Sequence, residues 1–249
     1  MKKFFLALFL VPMLLYTQNK LPYGIGEYSA FDISFGGITV GVAEIEIVEN
    51  YTIDSISTFH IIGRGKTAYF FDWFFKVRDV YETYLDTAKI IPVKFVRDIY
   101  EGGYEKKQLY KFNHLDSLVL TTDSSYKIPH NSQDMLSALF YARTFNTEQL
   151  KQKGSFVIPV FIDEENYFLE VEYMNNEIID TKWGMINCMV FKPIMQEGRV
   201  FKDVDKMQIW ITDDPNHLLV KVETKIWAGL IKAHLVKYKK LKYPLSISK

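Results

Sequence analysis

Residues 38–47 read ITVGVAEIEI, and this stretch decides the class of the fold. Side chains at every second position share one character: Gly41, Ala43, Ile45 and Ile47 form one set, and Val40, Val42, Glu44 and Glu46 form the other. Such alternation is typical of a half-buried strand, because successive side chains in a strand point to opposite faces of the sheet. The stretch therefore predicts an antiparallel strand.

The same alternation recurs along most of the chain. It is present in residues 76–85, 95–101, 105–112 and 218–226, and turn-forming residues separate these runs. Gly102-Gly103 supplies the positive φ angles that a tight hairpin needs, and Gly36-Gly37 is interpreted in the same way. About a dozen strands joined by short hairpins predict an all-β, mainly antiparallel meander.

One segment departs from this pattern, and its apolar residues stand at helical spacing: Met135, Leu136, Leu139 and Phe140. With Asn131 or Ser132 as N-cap and Asp134 in the first turn, the spacing predicts one amphipathic helix over about residues 131–145. A wide, twisted meander curls to hide its edges. We therefore expect a curved sheet or incomplete β-barrel, with the helix packed on its concave face or capping one end.

The N-terminus has the order of a secretory signal. Two lysines precede an apolar run over residues 4–16, and polar residues 17–19 follow. As a helix the run would measure about 20 Å, short of the roughly 30 Å hydrocarbon core, so it is a poor membrane anchor. We expect residues 1–19 to be a cleavable signal peptide and the chain to be exported to the periplasm of a Gram-negative-type bacterium, with secretion as the alternative.

The remainder, residues 20–249, is expected to be a single β-rich domain without a transmembrane anchor. Residues 147–154 are polar and lysine-rich, so a division into two halves near this point stays open. Such a chain is long enough to bury one substantial core, and we expect it to be a monomer.

Charge and cysteine content narrow the classes of function. The chain has 30 basic and 30 acidic residues, and without Lys2 and Lys3 its net charge is near −2. This balance gives no electrostatic footprint for nucleic acid. The single cysteine, Cys188, lies in a strand-like apolar run, which predicts a buried, inert thiol. The fold must therefore be stabilised by its core without disulfides.

No motif for catalysis or metal binding is apparent. The five histidines lack the spacing of metal ligands, and no nucleophile elbow or phosphate-binding glycine loop is present. His130, Ser132 and Asp134 are the residue types of a hydrolytic triad, but they fall at one predicted helix start, where capping explains them better. Two carboxylates such as Asp79 and Glu82 could meet on folding. We predict no catalytic residue, metal or cofactor, and a non-enzymatic role is favoured over an enzymatic one.

The most unusual stretch is residues 68–75, AYFFDWFF, with six aromatic residues in eight positions. It is either a core segment that crosses between layers, or the lining of an apolar cavity or a patch that touches lipid or a partner. Two strand arginines could also pair with a buried carboxylate or an anionic head group. The candidate ligand-binding residues are Tyr69, Phe70, Phe71, Trp73, Phe74, Arg78 and Arg97.

Short motifs in a fixed order give a family resemblance. They cover residues 26–38, 41–43, 79–86, 92–95, 101–104, 133–138, 191–193, 198–201 and 210–214. In these motifs the chain resembles the exported bacterial "domain of unknown function 3108" family. The resemblance implies a signal-bearing, β-rich envelope protein, and it transfers no catalytic residue.

Three functional hypotheses remain at this point. The leading one is a non-enzymatic envelope protein that binds a hydrophobic or amphipathic ligand, such as a lipid or a lipid-linked envelope component. The second is a structural or assembly factor that binds another envelope protein. The third is a hydrolase of envelope polymers that uses carboxylates brought together only in three dimensions.

Overall fold

The computed structural model describes residues 21–195, 207–226 and 229–248, which form fifteen strands, two short α-helices and one 3-10 turn at Tyr69–Phe71. The predicted signal peptide at residues 1–19 and the family-like motif at residues 198–201 lie outside these described residues. Within them, no helix is both long and apolar enough to cross a bilayer.

The first half of the chain contributes eight strands. They are β1 (Tyr28–Phe35), β2 (Ile38–Ile53), β3 (Ile56–Thr67), β4 (Val77–Asp86), β5 (Pro92–Glu101), β6 (Tyr104–Asn113), β7 (Leu118–Leu120) and β8 (Ser125–Lys127).

The second half begins with two helices and continues with seven strands. These are α1 (Ser137–Ala142), α2 (Thr147–Lys153), β9 (Ser155–Ile162), β10 (Glu165–Thr181), β11 (Gly184–Met195), β12 (Met207–Thr212), β13 (Leu219–Ile226), β14 (Gly229–Lys239) and β15 (Ile247–Ser248).

All fifteen strands belong to one sheet. Its order is β8-β7-β6-β5-β4-β3-β2-β1-β14-β13-β12-β11-β10-β9, with β15 paired to β11, and every pairing between strands is antiparallel. Neighbours along this path are consecutive in sequence except β1 and β14, which join the two halves. The predicted all-β meander is confirmed.

The tight turns have the backbone geometry that their sequences predict. Gly102 and Gly103 adopt φ angles of 57° and 96° between β5 and β6. Asp163 and Glu164 adopt 50° and 68° between β9 and β10, although they carry side chains. Positive φ at both central residues matches the twist of the flanking strands, so these turns hold the hairpins in register.

The sheet curls until its two ends meet through side chains. Phe161 of β9 packs against Tyr110 and Phe112 of β6, with ring centroids 5.2 and 6.5 Å apart. Beside it, Asp163 pairs with Arg97 of β5 at 2.9 Å. In the described residues β8 and β9 make no ladder with each other, so the structure is an open, barrel-like sheet, as expected.

Residues 128–154, here called the inner segment, connect β8 to β9 and contain both helices. The predicted helix is in place, but α1 spans only Ser137–Ala142 instead of residues 131–145. The shortening has a tertiary cause, because Gln133 forms a parallel bridge with Val160 of β9. The Gln133 N–H donates to Pro159 at 2.8 Å and its carbonyl accepts from Phe161 at 2.8 Å.

Neither Asn131 nor Ser132 caps α1, contrary to the sequence prediction. The carboxylate of Asp134 does so, since its Oδ1 accepts from the main-chain N–H groups of Leu136 and Ser137, both at 2.8 Å. Its other oxygen accepts from the Thr83 hydroxyl of β4 at 2.6 Å. Capping is therefore the role of Asp134, and the same side chain attaches the inner segment to the sheet.

The polar stretch at residues 147–154 forms the second helix, which the sequence analysis did not predict. Asn146 caps α2 by accepting from the Gln149 N–H at 3.0 Å, and Gly154 ends it with a φ of 77°. Leu150 is its buried residue. One apolar anchor on an otherwise polar helix gives little periodic signal, which explains why the pattern was missed.

The inner segment provides core residues to both halves of the sheet. Phe140 of α1 packs edge-on against Tyr23 at 4.9 Å, within a cluster that includes Ile47 and Ile61. Ala138 packs instead with β9 residues of the other half. Each large apolar side chain buried in this way contributes about 1.5–3 kcal/mol, so the inner segment stabilises the curl from inside.

Substitution of Asp134 tests this attachment. We expect Asp134→Ala to lower the free energy of unfolding by roughly 2–4 kcal/mol, because three buried donors lose their acceptor. Asp134→Asn keeps Oδ1 as an acceptor and should lose less than half as much. Urea unfolding followed by circular dichroism measures both, with the exposed Asp180→Ala as control; equal losses in Asp134→Ala and Asp180→Ala would contradict the assignment.

Candidate ligand-binding site

An apolar cavity of about 220 Å³ lies between the inner segment and the concave face of the C-terminal half. Its floor comes from β9 to β12 and its roof from α1 and α2. The lining residues are Met135, Ala138, Leu139, Ala142, Arg143, Leu150, Phe156, Ile158, Leu169, Val171, Met189, Phe191, Ile209, Ile211 and His217. Thirteen of these fifteen are apolar, so the cavity suits a hydrophobic group.

The cavity follows from residue size on α1. Ala138 and Ala142 stand four positions apart, on the same face of the helix, and both line the space. The opposite wall carries larger side chains, among them Ile158 and Phe191. Because two alanines face these residues, the helix cannot fill the concavity that the curled sheet leaves beneath it.

Two polar residues mark the edge of the cavity, and both are engaged elsewhere. The buried Arg143 guanidinium donates to both carboxylate oxygens of Glu27 at 2.6 and 3.1 Å, and to the Asn216 carbonyl. His217 binds the Arg143 carbonyl at 2.7 Å and lies 2.8 Å from the Thr147 hydroxyl. These contacts position the edge, and they leave the interior of the cavity apolar.

A second cavity of about 270 Å³ lies on the N-terminal side of the inner segment. Its floor is shallow because Gly63 and Gly65 of β3 and Ala43 of β2 present almost no side chain. A Cβ on Gly63 would stand 3.6 Å from Leu136, in ordinary contact. Met135 lines both cavities and remains 37% exposed, so the concave face has apolar space on either side of this residue.

A carboxyl pair also lies on the N-terminal half, but it differs from the one considered in the sequence. Asp79 is buried and shares a side-chain hydrogen bond with Glu101 of the next strand. Glu82 points to the other face, where it binds His60 at 2.8 Å. The Asp79–Glu101 contact is closer than the roughly 5–9.5 Å between the two carboxyls of glycoside hydrolases.

Burial raises the pKa of Asp79 to about 6, and the neighbouring Glu101 carboxylate adds to the rise. The Tyr100 N–H, which donates to Asp79 at 3.3 Å, acts in the opposite direction. The Asp79 carboxyl therefore keeps its proton up to about pH 6.

The aromatic candidate residues lie outside both cavities. They form an exposed loop between β3 and β4, in which Tyr69, Phe70, Trp73 and Phe74 are 92, 75, 81 and 78% exposed. Phe71 is half-buried at the base of this loop. The structure therefore groups the five aromatic residues on the surface rather than around the concave face.

The two candidate arginines are both paired with carboxylates. Arg78 donates to both oxygens of Asp72, at 3.0 and 2.6 Å, beside the aromatic loop. Arg97 faces inward on β5 and binds Asp163 at 2.9 Å, next to Lys106, which binds the same oxygen at 2.6 Å. The first arginine supports a loop, and the second helps to close the sheet.

Sequence reasoning missed the polar edge of the cavity. Arg143 lies within the predicted helix, but its partner Glu27 is 116 positions away, and no local pattern connects them. Met135 and Leu139, which the sequence analysis placed on the predicted helix but not at a binding site, also line the cavity. Cys188 is buried, as predicted, and burial raises its pKa to about 12. In the described part of the chain, no three His, Cys, Asp or Glu side chains converge to hold a metal ion.

The profile of one protein family matches the chain over residues 30–236, and its description is "Protein of unknown function (DUF3108)". No curated protein matches. This match covers both halves of the sheet and the whole inner segment.

Among solved structures, the β-barrel-like protein of the domain of unknown function DUF1849 from Brucella abortus has a TM-score of 0.53 at 10% identity. The likeness covers 86% of this chain and 97% of that one, and it supports the barrel-like fold. A presumed exported protein with a YmcC-like fold from Bacteroides fragilis has a TM-score of 0.34 at 12% identity, covering 88% of this chain and 98% of that one. A presumed lipoprotein from Parabacteroides distasonis also has a TM-score of 0.34, at 13% identity, with coverages of 88% and 97%.

The pKa of Asp79 predicts a pH-dependent variant. The pKa of Asp79 is about 6 in the folded chain and 3.8 in the unfolded chain, so folding favours the protonated carboxyl. The stability that Asp79 contributes is therefore fully present below pH 3.8 and is lost as the pH rises through about 6. Asp79→Asn should therefore match the wild type near pH 4 and exceed it by on the order of 1–3 kcal/mol near pH 8. Urea titrations at both pH values measure the difference.

Asp98→Asn is the matched control, because Asp98 lies on the same sheet in an exposed ion pair with Lys107. It should show no such gain in stability at the higher pH. A stability change in Asp79→Asn of equal size at both pH values would contradict the raised pKa of Asp79.

Proposed function

This chain belongs to the DUF3108 family of proteins of unknown function, and we propose from its own geometry that it binds a hydrophobic or amphipathic molecule. The binding site is the apolar cavity between α1 and the concave face of β9 to β12. The proposal extends to the class of ligand, a lipid or a lipid-linked component of the cell envelope, and to a non-enzymatic role.

The observation that carries the proposal is the unfilled apolar space itself. A domain interior is normally packed as densely as an organic crystal, with few voids larger than a water molecule. Here a half-open space of about 220 Å³, lined by thirteen apolar side chains, is left unfilled by the chain itself. An apolar ligand that covers this surface gains about 25 cal/mol for each Å² removed from water. The exposed apolar lining therefore favours the binding of such a ligand.

The size and the edge of the cavity indicate the shape of the ligand. Pockets for drug-sized molecules measure roughly 300–1,000 Å³, so about 220 Å³ fits a narrow hydrocarbon chain better than a bulky ring system. The polar edge lies at His217 and Thr147. An amphipathic ligand would place its chain between α1 and β9 and its polar group toward this edge.

A non-enzymatic role is supported by the lining of the cavity. Its fifteen residues include no serine, cysteine, carboxylate or lysine that could act on a bound ligand. The Asp79–Glu101 pair lies on the N-terminal half, and its direct hydrogen bond leaves no room for a substrate bond between the two carboxyls. Binding and shielding are the activities that these groups support.

Export to the periplasm is part of the same proposal. It is supported by the basic, apolar and polar order of residues 1–19. A compartment between two membranes is one where an amphipathic molecule must be shielded from water, and a half-open apolar cavity provides such shielding. Secretion from the cell is the alternative.

Filling the cavity tests the proposed function. Ala142→Leu adds a larger side chain to the roof at little cost in helix propensity, so the fold should persist while the space is lost. We expect the wild type to bind dodecanoic acid with a negative heat-capacity change, which marks apolar burial. In Ala142→Leu the dissociation constant should rise at least about tenfold, as measured by isothermal titration calorimetry.

Ala88→Leu is the control, because it makes the same chemical change far from the cavity. Ala88 is exposed in the turn between β4 and β5. Its affinity for dodecanoic acid should equal that of the wild type. No binding to the wild type, or equal binding by Ala142→Leu at unchanged stability, would contradict the proposal.

A further inference from the structure

The aromatic loop, defined as residues 68–76 between β3 and β4, exposes a dense group of large apolar side chains. Four of its rings are at least three-quarters exposed, and Phe75 is 50% exposed. Single exposed apolar residues are common on soluble proteins. Contiguous groups of large aromatic side chains are not, and they mark surfaces that bind a partner or a membrane.

The base of the loop is rigid, so the exposure of the rings is built into the structure. Asp72 accepts from the Thr67 hydroxyl at 2.6 Å and from both terminal nitrogens of Arg78. The Thr67 hydroxyl in turn accepts from the Val77 N–H at 3.0 Å, which closes the loop at its neck. This bidentate ion pair and its hydrogen bonds hold the aromatic tip away from the sheet.

The neighbouring turn fixes the other side of the loop. The Gly102 N–H donates to the Lys76 carbonyl at 2.8 Å, and the ring of Phe75 lies directly over Gly102. A Cβ at this position would collide with that ring, so glycine is required here for contact as well as for its positive φ. The aromatic loop is thus attached to the β5–β6 hairpin.

Adjacent hairpins extend the apolar surface along the same end of the sheet. The β1–β2 hairpin, joined to the loop by the hydrogen bond from the Ala68 N–H to the Val40 carbonyl of β2, carries Ile38 at 62% exposure at the start of β2. The β5–β6 hairpin carries Tyr104 at 55% exposure at the start of β6. These hairpins belong to neighbouring strand pairs in the sheet order, so the exposed apolar side chains form one rim with the aromatic loop at its centre.

Basic residues flank this apolar centre along the chain. Residues 64–78 contain four basic side chains, Arg64, Lys66, Lys76 and Arg78, and one acidic side chain, Asp72, in a chain whose overall charge is zero. Asp72 is already paired with Arg78. Two basic residues therefore precede the exposed rings in the sequence and two follow them.

We propose that the aromatic loop docks the protein on a lipid bilayer that contains anionic phospholipid. Trp and Tyr rings favour the boundary between acyl chains and head groups, and Phe rings enter the acyl region. Lysine and arginine near an anionic membrane surface each add about 1 kcal/mol of attraction, so the basic residues complement the phosphates. An exposed aromatic tip with basic residues on the strands beside it fits a fluid anionic surface without the matching hollow that a protein partner would have to provide.

Docking is independent of ligand binding in the concave cavity, because the two surfaces share no residue. Failure of one proposal is therefore separable from failure of the other, since dodecanoic acid binding and vesicle binding are measured separately.

The test uses the full chain and vesicles of phosphatidylcholine alone or with an equal part of phosphatidylglycerol. We expect co-sedimentation with the mixed vesicles, and a fall of more than about tenfold in the partition coefficient for the triple variant Phe70→Ser, Trp73→Ser and Phe74→Ser. These three rings are exposed, so the unfolding midpoint should not change. Lys66→Glu with Lys76→Glu should remove the preference for the mixed vesicles.

Leu115→Ser is the matched control, since Leu115 is 91% exposed in the turn between β6 and β7. It should bind vesicles as the wild type does. Residues 1–20 contain no tryptophan, so a blue shift of tryptophan emission on vesicle binding that is absent in Trp73→Phe reports the loop itself. Equal sedimentation of the triple variant, unchanged Trp73 emission, or a loop-dependent dimer in the absence of lipid would overturn the proposal.

Discussion

The hydrogen bond from the Thr83 hydroxyl to the buried Asp134 carboxylate, 2.6 Å long, is the contact on which the arrangement of this protein depends. It fastens the inner segment to the middle of the N-terminal half. One residue earlier, Gln133 is bridged to β9 through two main-chain hydrogen bonds. Because the edge strands β8 and β9 make no ladder in the described residues, this pair of attachments connects the two halves across the concave face.

The cavity is a consequence of the same arrangement. An inner segment bound at Gln133 and Asp134 must cross the concave face at a fixed height, and α1 carries alanines where it faces β9 to β12. The sheet is too strongly curved for these small residues to fill the space beneath. Arg143, held by Glu27 and the Asn216 carbonyl, then fixes the end of α1. Apolar space next to a firmly attached helix is what the proposed ligand-binding role requires.

Sequence patterns predicted the parts of this structure that rest on local physics. Alternation in residues 38–47 and the glycine pairs at 36–37 and 102–103 identified strands and hairpins, because side-chain direction and positive φ are properties of a few neighbouring residues. The length of α1 was overestimated, since the bridge of Gln133 to Val160 draws six residues out of the helix. α2 was missed because one buried leucine gives no periodicity.

The candidate site was harder to predict for the same reason. The aromatic stretch at residues 68–75 stands out in the sequence, but composition does not decide between a core segment and a surface patch, because its exposure depends on the contact of Asp72 with Arg78 at the loop neck. The cavity depends on Ala138 and Ala142 facing strands that begin after α2, and the Arg143–Glu27 pair spans 116 positions. Such contacts depend on the topology of the fold, and the pattern of a single sequence does not predict which distant residues meet.

The central claim, that the concave face binds an apolar chain, is tested most directly by locating a bound ligand. Crystals grown with ω-bromododecanoic acid would give anomalous scattering from the bromine atom. The account predicts a bromine peak inside the cavity, between α1 and the strands that carry Ile158 and Phe191. A cavity that stays closed to the ligand, with bromine found elsewhere on the surface or nowhere on the protein, would contradict it.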